Sequence, residues 1–292
     1  MTTTVLMCQQ GVPFRLSPAR MQMVEELKRR GSRVIVFFPG RKIDREIKNK
    51  VDKLINTKNM KNVHIRRKIQ EITPDVVICF TVEDTDICCL LPYRMKKTRF
   101  YYYNLEICVS SYKNESNYAL GRFLNKMDYL RSKSKEIIYV HRCSALVIQD
   151  ILRKKILKKY SISHPNTWLI PNSYYSSRIE YNGMYQEGLI YSGSLGMDIL
   201  GNFIEHINDF SNIPITLSGW GRVSPKVREN PNVKVIIHNF SQDEYTEFIS
   251  AYKAALIWYT DRHDDNVYYI GLASGKFFKH LSLGQPVIVN NV

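Results

Sequence analysis

The chain lacks long apolar runs: across 292 residues no apolar run approaches the roughly 20 residues that a membrane-spanning helix needs. Its start, Met1-Thr2-Thr3-Thr4-Val5-Leu6-Met7, has no basic segment and no long apolar core, so it does not read as a secretory signal. The six cysteines (Cys8, Cys79, Cys88, Cys89, Cys108, Cys143) show no C-x-x-C spacing, and several lie in strand-like apolar runs. That pattern excludes a zinc site or disulfide framework as the first expectation and fits reduced, buried thiols in a cytoplasm. G-x-G-x-x-G is missing too, so there is no dinucleotide fingerprint. Internal repeats and low-complexity tracts are likewise absent.

Acidic residues are scarce. Asp and Glu number 27 against 42 Lys and Arg, a net charge of +15. Nucleic acid, an anionic membrane surface or a phosphorylated substrate each suit such an excess. Much of it lies between Arg41 and Lys68, where eleven basic residues meet only Asp44, Glu46 and Asp52. This run is read as attraction to an anionic membrane surface, with a solvated basic face as the alternative. A basic nucleic-acid-binding module stays open as a non-enzymatic reading, although no RNA-recognition or helix-turn-helix signature supports it.

What is present is an α/β pattern. The 44% hydrophobic content indicates a globular chain, long enough for two domains. Thr4–Cys8 reads as a buried strand, Gln9–Phe14 as the loop at its end, and Ser17-Pro18 as a helix start that closes at Gly31. Arg33–Phe38 follows as a second strand. This β-α-β opening argues for a parallel sheet with right-handed crossovers. Further strands are expected at 75–80, 99–103 and 145–148, then a helix over 150–159 and the stretch 167–172.

A Tyr/Ser/Gly-rich segment, 173–187, reads as a linker. Five more strands follow, at 188–192, 214–218, 233–237, 255–259 and 286–289; the helix before the fourth carries a capping box, Ser241-x-x-Glu244. The loops leaving the first four strands are Gly193-Ser194-Leu195-Gly196, Gly219-Trp220-Gly221, His238-Asn239-Phe240 and Asp261-Arg262-His263-Asp264-Asp265. In a parallel sheet these loops share one edge, the usual ligand crevice.

Ser274 to Val289 opens at that same edge and organises the rest. Ser274 is a good N-cap, Gly284 sits at a C′ position, and the run after Pro286 suits a strand covered on both faces. Phe277, Phe278 and Leu281 are expected to pack on the sheet, with Lys276, Lys279 and His280 on the other side of the helix. Small residues and a lysine at a helix start favour an anion, so a phosphate or diphosphate cradle is expected; an ordinary capped helix is the alternative.

Two such domains with these loops resemble the GT-B nucleotide-sugar glycosyltransferases. Leu169-Ile170-Pro171-Asn172 is similar to the I-P-N stretch that closes their N-terminal domain. Gly193-Ser194-Leu195 resembles their G-x-L loop, and Ser218-Gly219-Trp220-Gly221 their G-x-G loop. Ser274 to Ile288 resembles their S-[N/G]-K block, and Tyr103-Asn104-Leu105-Glu106 with Val147-Ile148-Gln149-Asp150 resembles segments of bacterial members. The resemblance implies two Rossmann-like parallel-sheet domains facing a cleft: an acceptor-binding domain over 1–172, the linker, and a nucleotide-sugar domain over 188–292. Members continue beyond the fifth strand, so this C-terminal domain is expected to be shortened or incomplete.

The resemblance further implies transfer of a sugar from a nucleotide diphosphate-sugar, with a UDP-sugar as co-substrate, to a glycan or lipid-linked acceptor. The donor side would comprise Gly193, Ser194, Leu195, Gly219, Gly221, Asn239, Phe240, Ser274, Gly275, Lys276 and Lys279. Gly11 would lie on the acceptor side, and Glu106 would act on the acceptor hydroxyl. The acids of the family's E-x7-E fall here on Gly271 and Lys279, and Ser194 stands where a basic residue is usual. Lys276, Lys279 and the helix N-terminus are therefore read as substitutes. A nucleotide-sugar epimerase of the same fold is the alternative enzyme. Asp84-Thr85-Asp86 is a literal D-x-D, a pattern able to hold Mg²⁺ or Mn²⁺, but it is short enough to arise by chance. No metal is assigned to it or to the acidic loop at 261–265, and the enzyme is expected to work without one, in the cytoplasm or at the inner face of the membrane.

Overall fold

The computed structural model describes residues 1–10, 17–40, 45–105, 119–172, 186–195, 203–210, 212–221, 223–237, 240, 242–259 and 274–290. These form two compact units, divided between Pro171 and Asn172.

The first unit begins with strand β1 (Thr3–Met7), helix α1 (Pro18–Arg29) and strand β2 (Arg33–Phe38). Next come α2 (Arg45–Lys50), β3 (Lys53–Asn56), α3 (Asn62–Ile72) and β4 (Val76–Cys79). Helices α4 (Val82–Cys88) and α5 (Leu91–Arg94) lead to β5 (Arg99–Tyr103). The unit finishes with α6 (Ala119–Val140), β6 (Ala145–Ile148), α7 (Ile151–Lys159) and β7 (Thr167–Leu169). Among the described residues the seven strands make one sheet in the order β3-β2-β1-β4-β5-β6-β7, every pair parallel.

Alternation along the inner strands feeds two cores. Val5, Met7, Ile35, Phe37, Val77 and Cys79 enter one; Leu6, Cys8, Val34, Val36, Phe38 and Phe80 enter the other. Helices on both faces leave no wet side, which is why these strands read as unbroken apolar runs. The described cysteines, Cys8, Cys79, Cys88, Cys89 and Cys143, are free and buried; burial pushes the Cys143 thiol up to about 12 and the Cys8 thiol higher still.

The basic run contains more structure than its composition suggested. It holds α2, the edge strand β3 and α3, with Ile47, Ile55, Ile65 and Ile69 buried beneath an exposed rim of Lys48, Lys53, Lys58, Lys61 and Arg67. The D-x-D pair is likewise structural. Asp84 sits in the first turn of α4, fully buried, accepting from Gln9 N (2.7 Å), Phe80 N (2.8 Å) and Thr81 N (3.1 Å). Asp86 instead pairs with Lys135. Their carboxylates are engaged by different partners, and Asp84 is spent on backbone donors. Among the described residues no group of three or more His, Cys, Asp or Glu is placed to hold a metal ion.

The second unit carries β8 (Gln186–Ser194), α8 (Phe203–His206) with a 3₁₀ turn, β9 (Ile215–Trp220) and α9 (Pro225–Arg228). Then come β10 (Val233–Ile237), α10 (Gln242–Ser250), β11 (Tyr252–Ile257), α11 (Gly275–Ser282) and β12 (Val287–Val289). Its parallel sheet has the order β10-β9-β8-β11-β12. All five expected strands are found, and β8 starts at Gln186, inside the segment read as linker. Ser241 of the expected capping box lies outside the described residues.

Two expectations about the last block are corrected. Strand β12 is not covered on both faces: among the described residues it is an edge strand, with Ile288 42% and Val289 56% exposed. The faces of α11 are also inverted. Lys279 and His280 are 5% and 0% exposed, whereas Leu281 is 47% exposed and Phe277 and Phe278 are half-buried. Beneath the helix lie the hydroxyls of Tyr191 and Ser192, the Gln285 amide and the Tyr245 ring, so polar heads with long apolar stems pack there.

Candidate functional site

The caps of α11 form as the sequence predicts. Ser274 Oγ accepts from Phe277 N at 3.2 Å and exchanges a 2.9 Å hydrogen bond with Tyr259 Oη. At the other end Gln285 N donates to His280 O and Gly284 N to Leu281 O, the paired bonds of a glycine-terminated helix. The start of α11 is therefore fixed over the C-terminal edge of the second sheet.

Lys276 crosses from that helix start to the end of β8. Its Nζ donates to Tyr191 Oη at 3.0 Å and lies 4.6 Å from the Tyr191 ring centroid and 5.2 Å from that of Tyr259. A Cβ on Gly193 would stand 2.4 Å from Lys276 Cε and 2.5 Å from Nζ, so only glycine leaves the lysine its path. The residue is half-buried but its ammonium is enclosed, and desolvation holds its pKa below the usual lysine value. Among the described residues no carboxylate lies within ion-pair distance of it. Two aromatic faces stabilise the cation partly; an anion is what the arrangement leaves to be added.

The neighbouring strand completes the edge. Gly219 is in register with Gly193, and a Cβ there would fall 1.7 Å from the Gly193 carbonyl oxygen. Leu195 N donates to Trp220 O at 2.7 Å, closing the two strand ends together. Of the other expected donor residues, Ser194 is half-buried at the end of β8, its carbonyl accepting from Tyr191 Oη at 2.9 Å. The Leu195 side chain belongs to the core. Gly221 is exposed just past β9. Phe240 is half-buried with its ring centroid 5.3 Å from that of Phe248. Gly275 abuts Asn172, whose Nδ2 would meet a Cβ there at 3.2 Å. Lys279 Nζ lies 4.0 Å from the Tyr245 ring centroid. Asn239, Gly11 and Glu106 lie outside the described residues.

Sequence reading missed Tyr191 and Tyr259, the walls around Lys276; Tyr191 is detectable only through the strand period, which places it on the same side of β8 as Gly193. It also missed the polar chain beneath α11. Ser192 Oγ meets His280 Nε2 at 3.0 Å, His280 Nδ1 meets Gln285 Oε1 at 2.7 Å, and Gln285 Nε2 donates to Ile249 O and Tyr252 O. Burial first, then the Lys279 and Lys276 charges, pull the His280 pKa down to about 4, against the Gln285 hydrogen bond.

The folded imidazole is therefore neutral where an unfolded one titrates. Between pH 6.5 and 4 the unfolded chain binds the additional proton, so stability is full above pH 6.5 and falls as pH drops toward 4. For this depression the loss is on the order of 3 kcal/mol. Urea titrations at pH 7 and 4.5 are expected to show it, with a smaller difference in His280→Gln. Equal pH dependence in the two proteins would mean that His280 is not held neutral.

No protein-family model matches the sequence, and no curated protein matches it. Solved structures do. WaaG, a glycosyltransferase involved in lipopolysaccharide biosynthesis, superposes over 98% of this chain and 80% of its own with a TM-score of 0.65 at 16% identity. Anabaena Alr3699/HepE in complex with UDP and glucose matches over 99% and 80%, TM-score 0.64, at 10% identity. The fold is GT-B. A UDP-N-acetylglucosamine 2-epimerase also shares it, over 99% of this chain and 79% of that one, TM-score 0.52 and 12% identity. In this GT-B chain the edge that brings Gly193, Gly219 and Lys276 together is the edge where open parallel sheets take their ligands.

Proposed function

We propose that the protein is a glycosyltransferase that binds a nucleoside diphosphate-sugar on its second unit and transfers the sugar to a glycan or lipid-linked acceptor. One observation carries this reading: an enclosed ammonium, Lys276, with no carboxylate partner among the described residues, at the C-terminal strand ends of a GT-B fold. The donor diphosphate supplies the missing anion. As the bond to the sugar breaks, negative charge grows on the departing phosphate, and a fixed cation at a helix start stabilises that charge without a divalent metal. The UDP held by Alr3699/HepE supports uridine as the nucleotide. Gly193, Ser194, Gly219, Gly221, Asn239, Phe240, Ser274, Gly275 and Lys279 complete the donor side in this proposal, with the Leu195 backbone bracing it. Gly11 and Glu106 belong to the acceptor side, with Glu106 orienting or deprotonating the acceptor hydroxyl.

A thermal-shift screen with UDP, GDP, dTDP and CMP tests the donor class, because a ligand of the native state raises its stability. One nucleoside diphosphate is expected to raise Tm in the presence of EDTA. A response to none of them at millimolar concentration would overturn the reading, and release of UDP with a free, epimerised sugar in the absence of acceptor would favour the epimerase.

The exposed lysines around α2, β3 and α3 support a second element of the proposal, attraction to anionic lipid. No helix among the described residues is long and apolar enough to cross a membrane. Flotation is expected to recover the protein with vesicles containing phosphatidylglycerol and to lose it as salt rises, since screening shortens to about 8 Å near physiological ionic strength. Equal recovery with neutral vesicles would rule the attraction out.

A further inference from the structure

The order of the first sheet reverses between β1 and β4, the two strands from which successive connections depart in opposite directions. Such a switch point opens a crevice at the C-terminal strand ends. Gln9 and Gln10 follow β1 there, Phe80 and Thr81 follow β4, and one side chain of α1, Arg20, reaches in. Arg20 is 2% exposed, with its Cζ 5.3 Å from the Phe80 ring centroid. Its Nη2 donates to Gln10 Oε1 at 3.2 Å, and among the described residues its Nε and Nη1 have no hydrogen-bond partner.

A buried guanidinium is ordinarily matched by a carboxylate. The charge of Arg20 acts on Asp84, yet both oxygens of that carboxyl accept from backbone N–H groups of Gln9, Phe80 and Thr81. No carboxylate among the described residues lies within ion-pair distance of Arg20. Burial pushes the Asp84 carboxyl up to about 7, the backbone donors and Arg20 opposing it only in part. The cation is positioned, desolvated and short of acceptors, and its neutral partner, the half-buried Gln10 amide, is replaceable by a charged oxygen. Such a replacement converts a hydrogen bond between a cation and a neutral amide into one between opposite charges.

We propose that Arg20 at the β1/β4 switch point binds a phosphate group carried by the acceptor. The proposal rests on the sugar-transfer reading and narrows its acceptor to a phosphorylated one, either a lipid-linked phosphate or a phosphorylated glycan.

The test uses the full chain with its donor site filled by saturating UDP, so that added anions report on a second site. Inorganic pyrophosphate is titrated calorimetrically into the wild type, Arg20→Gln and Arg20→Lys. The wild type is expected to bind one further pyrophosphate. Arg20→Gln is expected to weaken it on the order of 10- to 100-fold, as loss of a buried charged hydrogen bond does, with Arg20→Lys in between and UDP affinity unchanged in both. Farnesyl diphosphate and glucose 6-phosphate then separate the two sources: preference for the first assigns a lipid-linked acceptor, preference for the second a phosphorylated glycan. No second site, or equal pyrophosphate affinity in Arg20→Gln, overturns the proposal.

Should Arg20→Gln fail to fold, the wild type still decides. The slowly exchanging Arg20 Nε–H resonance, assigned by its loss in Arg20→Lys, must shift on pyrophosphate addition; a resonance that does not move refutes binding. Failure of the wild type to bind UDP would overturn the sugar-transfer reading instead, and pyrophosphate binding at Arg20 would then be measured in Lys276→Ala.

Discussion

Gly219→Ala is expected to destabilise the protein by about 3 kcal/mol or more, the upper range for overpacking. The added methyl would fall 1.7 Å from the Gly193 carbonyl oxygen and 2.8 Å from its carbon. Neither is the free end of a side chain. Strands β8 and β9 are in continuous register from Leu189 to Ser194, and the Leu195–Trp220 hydrogen bond ties off the pair, so relief requires parting the strand ends. Gly284→Ala is the control. It keeps a positive φ of 70° but has open space around it, and it is expected to lose only about 1 kcal/mol. Urea unfolding of the two variants checks the difference; similar losses would mean that β8 and β9 do not approach as described.

Lys276→Ala is expected to weaken nucleoside diphosphate binding roughly 100-fold and to leave the fold at least as stable as before. The two halves of that expectation have one origin. The ammonium is desolvated and pairs with no carboxylate among the described residues, so the empty protein gains little from it. The bound protein uses the same charge against a diphosphate. A residue kept for packing would show the reverse, lost stability with affinity intact. Gly193→Ala provides an independent route to the same loss, because its Cβ would occupy the space of Lys276 Cε. Calorimetric titration with UDP and parallel melts of the three proteins separate these outcomes.

Strands buried on both faces were legible from sequence because their apolar runs are unbroken: β5 and β6 begin and end where the residues indicate, at Arg99–Tyr103 and Ala145–Ile148. Edge strands were harder. Strand β3 carries a single buried residue, Ile55, within a run dominated by lysine, so no alternation rises above the charge. Helix α11 shows a different limit. The grouping of Lys276, Lys279 and His280 on one side follows from helical period, but which side faces the sheet depends on the hydroxyls, rings and amide that wait there. Asp84 is ambiguous for a related reason, since a helix-capping acid and the first member of a metal-binding D-x-D are the same letters. Arg20 gave one faint signal: it stands four residues before the buried Val24, on the inward stripe of α1. A basic residue there reads as surface charge until the strand ends around it are placed.

Hydrogen–deuterium exchange of the full chain with and without saturating UDP decides whether the second sheet's edge at Gly193, Gly219 and Lys276 is the nucleotide site. UDP is expected to slow exchange in peptides spanning 191–195, 219–221 and 274–279, a protection lost in Lys276→Ala at the same UDP concentration. Protection confined to the strand ends of the first sheet, or unchanged in Lys276→Ala, would contradict it.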